Sequence, residues 1–136
     1  MFWLLDILRQ LKNHKIYDSV VAFRELVNMD LPIAVSFRLS RMAKEIDPII
    51  KIIDESKKKL IDKYTEKDEN GSPVKLDEND PNVVRITDPE KFQKELQELL
   101  EIETDIDVEK IKFSDFGEDS KIKPITLITL DWLITE

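Results

Sequence analysis

One stripe of apolar residues constrains this chain more than anything else in it. Val35, Leu39, Met42, Ile46, Ile49 and Ile53 step by four, three, four, three and four, the spacing that puts apolar side chains along one face of a helix. Leu60 continues the register after an interruption at Ser56. Such a stripe needs a cover. The domain's own core is the simpler one, and a second copy in a homodimeric coiled coil is the other. Asp30 is a good N-cap for this helix, with Pro32 inside the first turn where a missing N–H costs little. The helix is expected to run to about Glu66. Pro48 sits in its middle, where proline removes a hydrogen bond and clashes with the preceding turn. A kink is therefore expected, or two helices meeting near Asp47.

Around this element the periodicity changes character several times. Ile16, Val20, Phe23 and Val27 step by four, three and four, which predicts an amphipathic helix over about 15–28. Upstream, residues 1–11 form an apolar segment. Trp3, Leu4, Ile7, Leu8 and Leu11 have helical spacing, and its short length leaves a buried strand open. Over 67–87, Asn70-Gly71 and Ser72-Pro73 are turn formers. Two short alternating runs, Val74 to Leu76 and Val83 to Ile86, bracket a second polar turn. They predict a β-hairpin projecting from the body. Asp88-Pro89 is the clearest helix start, a capping acid followed by proline at the first helical position, with Phe92, Leu96, Leu99 and Leu100 as its stripe. From Asp105 to Phe113 apolar and charged residues alternate, predicting one further strand with a wet face. Gly117 and the acids around it make a loop. Pro124 then opens a segment over 124–135 that is apolar nearly all round and reads as a buried C-terminal helix, with its β-branched Ile and Thr keeping a strand open. The sum is an α+β fold, mainly helical, in a single domain over 1–136. At 136 residues and 41% hydrophobic the chain can bury a real core.

Composition narrows function mostly by exclusion. With no Cys, disulfides, thiolate nucleophiles and Cys-ligated metals are ruled out. The net charge of -8 opposes nucleic-acid binding, which needs Lys and Arg to neutralise phosphates. Lys57, Lys58, Lys59 and Lys63 could form a local basic patch, but Asp54 and Glu55 stand four residues before Lys58 and Lys59. These pairs read as a solvated helix face. The apolar segment from Phe2 to Leu11 has no basic leader or cleavage site for a signal peptide. It is also too short to span a bilayer. The expectation is a cytoplasmic protein, of the producing cell or of a host.

No constellation of catalytic residues emerges. The single His, His14, has no second imidazole or thiol to work with. The runs from Asp68 and Asp77 fail the calcium-loop pattern, because Pro73 and Asn82 stand where its glycine is required. Asp105, Asp107 and Glu109 could face a divalent cation but read as a solvated strand face. Phosphate loops, dinucleotide fingerprints, nucleophile elbows and zinc-protease helices are absent from the sequence. The chain is therefore expected not to be an enzyme, with no catalytic, cofactor-binding or metal residues and no cofactor. Phe2, Trp3 and Ile7 are instead candidate partner-binding residues, because large aromatics heading an apolar segment suit an interface hot spot. The alternative is a first helix docked in the core.

Most of the chain from about Leu11 onward resembles a family of small proteins encoded by tailed phages and prophages of Gram-positive bacteria, known only as a domain of unknown function. The resembling stretches are KIYDSVVAFRELVNMDLPIAVSFRLSRMAKEI, KKKLIDKYTEKDENG, ITDPEKFQKELQELLEIETDIDVEKI and LITLDWLI. The resemblance implies a phage accessory protein and assigns no site residues. The expectation is a non-catalytic, homo-oligomeric protein acting through protein–protein contacts, as a virion or assembly component in the host cytoplasm or the virion. The alternative is an inhibitor of a bacterial defence system, binding a host nuclease or mimicking nucleic acid with clustered acids. Neither nucleic acid nor membrane is expected as a partner.

Overall fold

The computed structural model describes residues 8–77, 79–117 and 120–136. Its elements in chain order are β1 (Leu8–Lys12), α1 (Asn13–Val27), α2 (Ile33–Tyr64), β2 (Lys75–Asp77), β3 (Asp80–Val84), α3 (Pro89–Glu101), β4 (Glu103–Asp107), β5 (Ile111–Lys112), a 3-10 turn at Phe113–Phe116, α4 (Pro124–Thr129) and β6 (Ile134–Thr135). The fold is α+β and mainly helical. The strands form three two-stranded pairs, β1 with β4, β2 with β3, and β5 with β6. Two compact units are distinguished, one of residues 1–51 and 103–136 and one of residues 52–102.

The first unit carries the main core. Along α1, Ile16, Ser19, Val20, Phe23 and Leu26 are buried, the 3.6-residue period that the sequence predicts. Along α2, Val35, Leu39, Met42, Ile46 and Ile50 are buried and belong to the same cluster, with Ile106, Val108, Ile111, Phe116, Leu130, Trp132 and Leu133. The apolar stripe is thus covered by the chain itself. The helix begins later than expected. The Pro32 carbonyl accepts from the backbone N–H groups of Val35 and Ser36, both at 3.0 Å, so Pro32 stands at the cap and Asp30 lies outside. The helix is also one element rather than two, running through Pro48. Proline there leaves the Lys44 carbonyl without its helical donor, a cost of about 3 kcal/mol in a helix interior. Both Pro48 and Lys44 are exposed, so water can reach that carbonyl. The flanking Ile46 and Ile50 remain packed at 2% and 5% exposure, which offsets the rest.

One expectation is corrected, and two segments left open between helix and strand are decided. Residues 8–12, one of those segments, are a strand, pairing antiparallel with β4 in the register Leu8↔Asp107 to Lys12↔Glu103. A short stretch nucleates a helix poorly, and a ready-made ladder partner outcompetes it. The predicted continuous strand from Asp105 to Phe113 is instead two strands in different sheets. Ile106 and Val108 are both buried, but the next buried position is Ile111, three residues on, and that odd step breaks the alternation. Ile111 then pairs in parallel with Ile134. The segment over 124–135, where helix and strand were both open, uses each in turn. A six-residue helix, a turn through Leu130–Leu133 and the strand β6 follow one another.

A buried polar link ties the chain's end to α1. The Trp132 Nε1–H donates to Ser19 Oγ at 3.0 Å, and the Ser19 hydroxyl donates to the Lys15 carbonyl at 2.7 Å. Gly117, just after the 3-10 turn, has φ 90° and ψ 155°, a region that is close to glycine-only.

In the second unit α3 starts where expected. The Asp88 side chain accepts from the Lys91 backbone N–H at 3.3 Å, with Pro89 in the first turn. The expected hairpin is formed by β2 and β3 with an irregular register. Upstream, Asp68 Oδ1 accepts from the N–H groups of Asn70 and Ser72, both at 2.9 Å, around Gly71 at φ 78°. This is the Asx-turn chemistry that Asn-Gly signals.

Two substitutions test this core. Leu39, fully buried, should lose about 2–5 kcal/mol on truncation to Ala, the transfer loss plus a residual cavity. Ser19→Ala should cost about 1–3 kcal/mol by stranding the Trp132 N–H. Urea unfolding midpoints measure both, and a wild-type midpoint for either variant would refute the packing described.

Candidate interaction surface

Opposite its buried stripe, α2 turns apolar side chains toward solvent. Ile33 and Phe37, one turn apart, are 85% and 62% exposed. Ala34, Ser40, Arg41 and Lys44 are exposed on the same side. A second apolar ridge lies on α4, where Ile125 and Ile128 are 64% and 68% exposed. Beside α4, Phe113, Leu127 and Ile134 line an open groove with Ser114, Thr135 and Glu136. Single exposed apolar residues are ordinary, but pairs at helical spacing on one face form patches of the kind used in docking.

The groups able to do acid–base chemistry are arranged differently. In the second unit Lys63, Tyr64 and Glu95 form one cluster. The Lys63 ammonium donates to both Glu95 oxygens at 3.0 and 3.2 Å, and lies 5.2 Å from the centre of the Tyr64 ring. The Tyr64 hydroxyl hydrogen-bonds Glu95, which lowers the carboxyl's pKa, with Lys63 adding to the effect. That hydrogen bond raises the pKa of Tyr64, and the hydrogen bond from Lys63 to Glu95 raises that of Lys63. Phe92 packs edge-on against Tyr64 with ring centres 6.0 Å apart. A phenol that holds its proton more tightly than usual is the reverse of what a general base requires. The cluster clasps α3 to the last turn of α2.

In the first unit, Arg38, Arg41, Met42, Glu45, Asp107 and Glu109 line a small notch. Glu45 Oε1 accepts the Asp107 backbone N–H at 2.8 Å, and Arg38 Nε lies 3.6 Å from Glu109. Two guanidiniums and three carboxylates there largely neutralise one another.

Of the residues singled out from sequence, Phe2, Trp3 and Ile7 lie outside the described residues. His14 is half-exposed with Nδ1 3.9 Å from Asp18, one turn on. In the lysine run, Lys58, Lys59 and Lys63 are exposed. Asp105, Asp107 and Glu109 do not gather into a metal site, and among the described residues no group of three potential ligands does. Among those residues no helix is long and apolar enough to cross a membrane. Sequence reasoning missed the Ile33–Phe37 face. Its signal was there, two large apolar residues four apart and on the side opposite the heptad stripe.

The clasp makes a pH prediction. Glu95 has a folded-state pKa below its unfolded value, so its stabilisation is complete above the unfolded carboxylate range. It is lost as pH falls through the folded value. Lys63 and Tyr64, both raised, contribute stability that is lost as pH rises through their folded values. Glu95→Gln should therefore flatten the acid limb of a stability-against-pH curve below about pH 4.5 while leaving the neutral region less stable than wild type. Chemical denaturation across pH reads both, and an unchanged acid limb would count against the clasp.

Comparison of the chain with protein families, with curated proteins and with solved structures finds no match.

Proposed function

We propose that this chain is a non-catalytic accessory protein of phage origin that acts through protein–protein contacts, as a virion or assembly component. The observation that carries the reading is the pair of apolar helix faces in the first unit. A chain that packs Leu26, Leu39, Leu130 and Leu133 to 0% exposure nonetheless leaves Ile33, Phe37, Ile125 and Ile128 more than 60% exposed. Burying such side chains is worth about 1.5–3 kcal/mol each, so these faces favour a partner that covers them. The phage origin comes from the resemblance described above. Action in the host cytoplasm or the virion is part of the same proposal.

The inhibitor reading has a weaker footing. Nucleic-acid mimicry needs a continuous negative surface. Here Asp131, Asp47, Glu109, Glu95, Glu66 and Asp88 each lie within 4.0 Å of a Lys or Arg nitrogen, which intersperses cations among the acids.

Affinity purification of the tagged chain from phage-infected Gram-positive cells, with chemical crosslinking and mass spectrometry, separates the two. Capsid or tail proteins are expected, and Ile125→Asp with Ile128→Asp should reduce their recovery at least tenfold without changing the melting profile. Recovery of a host nuclease in their place would overturn the virion reading in favour of the inhibitor.

A further inference from the structure

Between α2 and β2 the chain reverses over residues 68–72, and Asp68 holds the reversal shut. Its carbonyl accepts from the Gly71 N–H at 3.0 Å, and its own N–H donates to the Ser72 carbonyl at 2.8 Å. Its carboxylate oxygen Oδ1 accepts from the N–H groups of Asn70 and Ser72, both at 2.9 Å. We propose that Asn70 is a site of spontaneous deamidation, at a rate set by how often this turn opens. This chemistry lies in the second unit and goes beyond any docking role of the first.

The nucleophile is the backbone nitrogen of the following residue. The Gly71 nitrogen gives its proton to hydroxide from solvent and attacks the Asn70 side-chain carbonyl carbon. The new bond closes a cyclic imide. The bond from that carbon to the amide nitrogen breaks, and the nitrogen takes a proton from water and leaves as ammonia, which regenerates the hydroxide. A second water then opens the ring at one of its two carbonyl–nitrogen bonds. Breaking the new bond leaves an aspartate at position 70. Breaking the original peptide bond leaves isoaspartate, with the main chain running through the former side chain.

Glycine obstructs this attack least, because no Cβ stands beside its nitrogen. Every other asparagine of the chain precedes a residue that carries a side chain. Around Gly71 the space a Cβ would take is open, and residues 67–73 are all exposed, so hydroxide and water reach the site. The fold restrains what the sequence invites. A nitrogen hydrogen-bonded to the Asp68 carbonyl cannot swing onto the Asn70 side chain, so attack waits until the turn opens. Chemistry that passes through a locally opened state runs in proportion to the population of that state. The bonds made by Asp68 keep that population small.

The full chain, held at mildly alkaline pH and sampled over weeks, is digested and mapped by mass spectrometry to follow each asparagine. Asn70 should convert first, to a mixture of aspartate and isoaspartate, while the other asparagines persist. Unfolding in urea should speed its conversion about tenfold or more, because every molecule is then open. In the folded chain Asp68→Ala removes the acceptor for two N–H groups and should convert about tenfold faster than wild type. Asp68→Asn keeps an acceptor oxygen in the same place and should convert close to the wild-type rate. Circular dichroism melts show that both variants are folded, and an unfolded Asp68→Ala leaves the urea and Asp68→Asn comparisons to decide. First conversion at another asparagine, equal rates with and without urea, or Asp68→Asn converting about tenfold faster than wild type would each overturn the proposal. Recovery of phage proteins through the α4 ridge is a separate measurement, so failure here and failure of the proposed function remain distinct.

Discussion

Burial of one face of α2 is the constraint on which the first unit depends. Val35, Leu39, Met42, Ile46 and Ile50 present a continuous apolar strip, and every other core residue of the cluster lies against it or against its neighbours. A helix can hide only one side this way, so its remaining residues face water. The identity of the buried stripe therefore also decides which residues are left outside. Ile33 and Phe37 are exposed because Val35 and Leu39 are not.

The short strands make sense against that core. A two-stranded pair is marginal alone in water, and each pair of the first unit is anchored by core side chains. Ile106 is buried in β4 and Ile111 in β5. The N-terminal end of α1 is joined to β4 by the Thr104 hydroxyl, which donates to Asn13 Oδ1 at 2.7 Å. Such crosslinks help the ladders persist despite their length. In the second unit the comparable task falls to Tyr64, buried itself, whose carbonyl accepts from the Thr87 backbone N–H at 2.7 Å and hydroxyl at 3.1 Å.

How much could be read in advance follows from how local each signal is. Asp88-Pro89 marked a helix start because cap and first turn are adjacent in sequence. The α1 and α2 stripes were legible because a 3.6-residue period repeats within the element itself. Residues 8–12 stayed open between helix and strand because their pairing partner lies at Glu103–Asp107, and apolar spacing over so few residues fits either state. The break after Val108 depends on Ile111 finding Ile134, again a distant partner. The candidate surface was half legible. Ile33 and Phe37 are visible in the sequence, but which side of α2 the core takes had to be known before they could be placed outside. The clasp of Lys63, Tyr64 and Glu95 joins residues about thirty positions apart and leaves no local trace.

The same logic separates two ways this chain could self-associate. The heptad stripe is the usual coiled-coil seam, yet its residues are committed to the core of a single copy. Using it between copies would mean taking Leu39 and Ile46, at 0% and 2% exposure, out of that core, at a cost of about 2–5 kcal/mol for each large side chain lost from its packing. The face around Phe37 needs no such exchange, since its groups are already in water and association only removes them from it. A contact on the outward face is therefore of the kind that leaves the fold intact.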